Sequence, residues 1–267
     1  MSRQDRADAV DQEMAKRLLP DEALRALARW WSENAARFPD KTPGAHTVHY
    51  TPSRWTQITP WPSALASTSC EGDAAVNRAQ VTSIVQDALR REAFTEALVA
   101  TYVWGKSKGG SPGGSGPATL RTILAADDLE AALAGAVTAL SEHGARAAYA
   151  ALRGHVAWLG PAFFTKFLYF AGKTVPPANG PKPLVLDRVL ARRMRSLASA
   201  VGRETGHDPD SSIARWVWRD QDWSPHRYQI YLSFMHAAAH QAASTDGWPS
   251  DTSPDLLEYA LFSTAWM

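Results

Sequence analysis

The stretch Leu159 to Gly172, Leu-Gly-Pro-Ala-Phe-Phe-Thr-Lys-Phe-Leu-Tyr-Phe-Ala-Gly, restricts what this chain can fold into more than any other segment. It opens on a helix-breaking Gly-Pro pair and continues as a helix that is apolar on nearly every side, with one lysine. A helix hydrophobic all round belongs in a protein interior, so the rest of the chain must provide elements to cover it. Lysine is almost never fully buried unless something pairs with it. Lys166 therefore either runs its amine out to the surface or sits in a pocket where the amine has a task.

The cover is helical. At 267 residues the chain has room for one large domain or two small ones. Leu24, Leu27, Trp30 and Trp31 recur at helical spacing across 21–37, between Pro20-Asp21 and Pro39. Prolines at 39, 43, 52, 60 and 62, interleaved with Trp55 and Trp61, then predict an irregular connector with a short strand near Thr47–Thr51. Helical spacing returns over 74–103, enough for two helices, with further helices expected at 119–125, 128–142 behind an Asp127 cap, 145–153, 162–171, after Asp187, and at 210–219, 225–243 and 253–264. No alternating strand pattern or internal repeat follows residue 70. The expectation is an all-α fold in which 1–73 forms an amphipathic helix plus a Pro/Trp-rich connector and 74–267 forms a helical domain. Residues 105–117, low in complexity and carrying Lys106 and Lys108, read either as a ligand-closing loop or as a tolerated surface loop.

Composition narrows the chemistry. One cysteine, Cys70, excludes an internal disulfide and any four-cysteine zinc or iron-sulfur site within one chain. Metal binding would have to rest on histidines and carboxylates. His236 and His240 have i, i+4 spacing, but no glutamate adjoins the first in the manner of a zinc-protease helix, so they read as structural or solvated and no metal or cofactor is expected. The Ser and Thr residues show no nucleophile-elbow motif. A net charge of +1 gives no bulk attraction to nucleic acid, so any DNA binding must come from local clustering. The sequence has no apolar run of bilayer length and its charged start lacks a signal-peptide core, which predicts a cytoplasmic protein without a membrane partner.

Two local arrangements carry the functional argument. Helix 145–153, the turn at 154–161 and helix 162–171 form a helical hairpin. Backbone N–H groups at the start of its second helix are unpaired and favour an anion, and Pro161 suits the first helical position. Leu159, Gly160 and Ala162 supply the candidate amides for a phosphate. The second arrangement is Leu184-Val185-Leu186-Asp187-Arg188-Val189, followed by Arg192 and Arg193. Asp187 precedes a helix, where its simplest role is an N-cap. Arg188, Arg192 and Arg195 fall at i, i+4 and i+7, a stripe that suits phosphate or simply a solvated face. Asp187 follows Lys166 by 21 residues, room for one helix to end, reverse and return a carboxylate toward the amine.

In the hairpin Leu159-Gly160-Pro161 with its following helix, and in the apolar-Asp-x-Val segment with its arginines, the chain resembles the helix-hairpin-helix DNA glycosylases, and within them the bacterial 8-oxoguanine-glycosylase-like branch. The resemblance covers about residues 75–265 in helix order, with the motif match confined to 158–193. It implies that Asp187 occupies the catalytic aspartate's position and that Leu159–Ala162 form the DNA-phosphate-binding turn. In lyase-competent relatives the nucleophilic lysine stands two positions after the last hairpin glycine, a place held here by Ala162, and Lys166 lies one turn further on the same face. An amine desolvated among Phe163, Phe167 and Phe170 would favour its neutral form, which can attack the sugar C1′ and form a Schiff base, with Asp187 positioning or deprotonating it. Trp104, Trp216, Trp218, Trp223, Tyr228 and Tyr231 are the aromatic residues expected near a cleft, and none is assigned to base stacking.

The resemblance thus implies a monomeric, nucleoid-associated DNA glycosylase, acting on duplex with a flipped base, that excises an oxidised purine, either with or without associated β-lyase chemistry. A defence enzyme that removes hypermodified bases from phage DNA keeps the scaffold and changes the target. A non-catalytic helix-hairpin-helix DNA-binding module is the alternative from another class, and it expects Lys166 in solvent and Asp187 acting only as a cap.

Overall fold

The computed structural model describes residues 1–107, 116–176, 178, 180 and 181–264. The centre of the 105–117 loop and part of the proline-rich stretch at 176–183 lie outside the described residues. Among those described, twelve α-helices and one two-stranded sheet make up the regular structure, so the fold is all-α in character. In chain order they are α1 (Arg3–Arg17), α2 (Asp21–Asn34), β1 (Thr47–Tyr50), β2 (Ala74–Asn77), α3 (Arg78–Arg90), α4 (Phe94–Lys106), α5 (Gly116–Leu124), α6 (Leu129–His143), α7 (Ala145–Leu152), α8 (Pro161–Ala171), α9 (Arg188–Glu204), α10 (Ser212–Val217), α11 (Pro225–Ala243) and α12 (Pro254–Ser263). No described helix is long and apolar enough to cross a membrane.

Contacts group the chain into two compact units: residues 1–43 with 186–267, and residues 44–185. This differs from a division at residue 73, because β1 pairs antiparallel with β2, Val48 opposite Val76, and ties the connector to the helices that follow it. The strand near residue 47 is present as expected. β2 is a correction: residues 74–77 are extended, and the helix begins only at Arg78. Asn77 stops it with a capping box, accepting from the Gln80 amide while the Gln80 side chain accepts from the Asn77 amide.

In the unit formed by residues 44–185, α8 is the interior rod. Phe164, Phe167, Leu168, Tyr169 and Phe170 are buried in it, and α3, α4, α6 and α7 pack on it. At its C-terminal end Pro183 lies against Gly172, where a Cβ would come within 2.4 Å of the proline ring. The other unit centres on α9 and α11. The charged opening of the sequence, which carried no helix expectation, forms α1, capped by Ser2 in a capping box and burying Ala7, Val10 and Met14. Asp11 of α1 and Arg227 of α11 form a buried ion pair at 2.6 and 2.8 Å, with the guanidinium 5.0 Å from the Trp218 ring centroid. Burial raises the Asp11 carboxyl above its ordinary value, and the Arg227 charge opposes that rise.

Candidate active site

Lys166 belongs to the buried face of α8 and is only 8% exposed. It does not point into solvent. Long helical side chains lean back toward the N-terminus over the preceding turn, and the Lys166 stem does so: Nζ donates to the Ala162 carbonyl at 2.5 Å and lies 5.4 Å from the Phe163 ring centroid. The amine therefore returns to the first turn of α8, beside Ala162.

Two residues of α4 shape the space around that amine. Tyr102 stacks on Phe163, ring centroids 4.2 Å apart and planes at 17°. Burial pushes the Tyr102 hydroxyl up to about 12, against a hydrogen bond with Thr119 that favours ionisation. Gly105, three residues on, leaves open the volume through which the Lys166 stem runs. Neither contact is legible in the amino-acid sequence, because both join segments some sixty residues apart.

The hairpin turn between α7 and α8 is made by Gly154 at φ +78° and by Trp158 at φ +68°. Gly160 is the N-cap of α8 and Pro161 its first residue. The three predicted phosphate-binding amides divide. Leu159 N–H donates to the Val156 carbonyl at 3.3 Å, so it is already used within the turn. Gly160 and Ala162 N–H make no hydrogen bond among the described residues. Trp158 stands out beside them, 73% exposed although it is the largest side chain type, while its neighbours Val156 and Leu159 are buried. Its exposure depends on how the turn is anchored, which the sequence does not reveal.

Asp187 caps α9. Its Oδ1 accepts from the amides of Val189 and Leu190 at 2.9 and 3.0 Å. Oδ2 makes no hydrogen bond or ion pair among the described residues, so capping engages one carboxylate oxygen and leaves the other available. The arginine stripe also divides. Arg192 and Arg195 both meet the Asp220 carboxylate, Arg192 through Nε at 3.2 Å and through Nη2, Arg195 through Nη2 at 3.2 Å. The Arg192 hydrogen bond holds the Asp220 carboxyl below its ordinary value. Arg188 is exposed and in no ion pair among the described residues. Arg193, on another side of α9, donates to the carbonyls of Leu261 and Thr264 at 3.4 and 2.5 Å and so caps the C-terminal end of α12.

Of the aromatic residues expected near a cleft, Trp104, Trp218, Trp223, Tyr228 and Tyr231 are buried. They are core. Trp216 is partly exposed, with the Arg3 guanidinium 4.4 Å from its ring centroid.

The fold is thus predominantly helical, with a nearly buried lysine in the helix after a Gly-Pro hairpin and an aspartate capping a later helix. A family described as "Putative 8-oxoguanine DNA glycosylase OGG-like protein" matches residues 41–262, and the chain belongs to this family. No curated protein and no solved structure matches the chain.

Proposed function

We propose that the protein excises an oxidised purine such as 8-oxoguanine from DNA and then cleaves the resulting abasic site, with Lys166 as nucleophile and Asp187 as the assisting carboxylate. The observation that carries this reading is the path of Lys166: a nearly buried amine brought back to the first turn of the helix that follows the hairpin.

In this mechanism neutral Nζ attacks C1′ of the flipped nucleoside. The N–C1′ bond forms as the glycosidic bond breaks, and the base leaves with a proton. The C1′–O4′ bond then opens, O4′ takes the remaining amine proton, and an imine links the protein to the sugar. Imine formation acidifies the C2′ hydrogen and permits elimination of the 3′ phosphate. Asp187, whose Oδ2 is not used in capping, offsets the positive charge that develops on the sugar as the base leaves. Gly160 and Ala162 amides and Arg188 meet backbone phosphates. Trp158 lies against the duplex beside them.

Borohydride reduction tests the reading, because hydride converts the imine to a stable amine crosslink. Wild-type protein is expected to crosslink to an 8-oxoguanine duplex. Lys166→Ala is expected not to, and Asp187→Asn to react at least about a hundredfold more slowly. Base release by Lys166→Ala at the wild-type rate would remove the lysine from the chemistry.

A further inference from the structure

The residue at position 105 is glycine for a reason that its own backbone does not supply. Gly105 sits in the last turn of α4 with no positive φ, a conformation every L-residue adopts, and glycine weakens a helix relative to alanine. What does require it is Lys166. A Cβ at position 105 would lie 2.4 Å from Lys166 Cδ and 2.9 Å from Cε, and 3.7 Å from Phe163 Cδ1. Real Cβ atoms do not come that close to carbon, so an alanine there and the present lysine stem exclude each other. The atoms that must yield belong to the middle of a flexible side chain, so the lysine would move and the helix would stay.

We infer that Gly105 is a positioning residue for the Lys166 amine: the missing side chain leaves a channel along α4 that holds the lysine stem on the course returning Nζ to Ala162. Tyr102, one turn earlier on α4, backs the Phe163 ring, so the same helix provides both the wall and the gap. This inference rests on the proposed role of Lys166. An amine displaced by about 1 Å loses the alignment needed to attack C1′, which is enough to cost about a hundredfold in rate.

The test compares Gly105→Ala with Gly135→Ala, a control on α6 whose added Cβ meets nothing within 4 Å. Each is assayed for single-turnover borohydride trapping on an 8-oxoguanine duplex, for affinity to the same duplex, and for Tm. Gly105→Ala is expected to trap at least about tenfold more slowly, with duplex affinity within about twofold of wild type, and Gly135→Ala to trap normally. If Gly105→Ala lowers Tm, adding Lys166→Ala is expected to restore it, because the colliding stem is then gone. Normal trapping by Gly105→Ala, or a Tm loss that persists in the double variant, would overturn the inference. Trapping that survives Lys166→Ala alone would instead sink the proposed function on which it rests.

Discussion

Trp158 holds a bulky side chain in the left-handed region, a conformation that costs about 1–3 kcal/mol in a non-glycine residue. Nothing in its own unit repays that cost by burial, since the indole is mostly in solvent. Under the proposed DNA contact, stability and binding pull in opposite directions at this position. Trp158→Gly is expected to raise Tm by a few degrees while weakening duplex affinity roughly tenfold, the scale of one aromatic–nucleotide contact. Parallel thermal melts and titrations with an abasic-analogue duplex would read both, and unchanged affinity would remove Trp158 from the interface. At this scale the sequence was informative about Asp187, whose place before a helix declares a cap, and about Lys166, whose apolar neighbours declare burial. It was silent about Gly105 and Trp158. A glycine's reason here is a side chain sixty residues away, and an aromatic's exposure depends on a turn's anchoring, neither of which periodicity encodes.

Among the helices, α9 departs most from its sequence reading. Three arginines on one face suggested three phosphate contacts, yet Asp220 engages two of them. The carboxylate is too far along the chain for any helical spacing rule to pair it with them. Exposed ion pairs of this kind are worth little to stability. Under the proposed phosphate contacts, their effect is on the charge available to DNA. Asp220→Asn is expected to leave Tm within about a degree, to tighten duplex binding at low salt, and to steepen the plot of log affinity against log salt by about one to two units, as one or two further phosphates are neutralised. An unchanged slope would mean that this face of α9 does not meet the backbone. Element boundaries were legible where caps and prolines mark them, as at α11 and α12. They failed at residues 74–77, where Val76 fits a strand and a helix equally well and only pairing with β1 decides.

For the whole molecule, the family match begins at residue 41, but α1 and α2 before it are built into the core of their unit. Trp30 of α2 meets Phe38, Trp248 and Tyr259 at ring-centroid distances of 5.8 to 6.1 Å. The Asp11–Arg227 pair makes the same point electrostatically. Removing one partner strands a buried charge, so Asp11→Ala is expected to lower unfolding free energy by about 3–5 kcal/mol, whereas Asp11→Leu combined with Arg227→Met costs less. Urea denaturation of the three proteins measures this, and equal losses in the single and double variants would show that packing dominates. The all-helical class was readable from spacing alone. The grouping of the first 43 residues with the last 82 was not, because the chain's amphipathic faces say that they need partners without saying which ones.

That grouping has a consequence for synthesis. On the ribosome, α1 and α2 emerge before residues 44–185 and must wait, apolar faces uncovered, until α9, α11 and α12 have been translated. Residues 44–185 follow them and carry their own described strands and helices, so a nascent chain halted near residue 185 holds those elements with an orphaned pair ahead of them, the part most open to a chaperone.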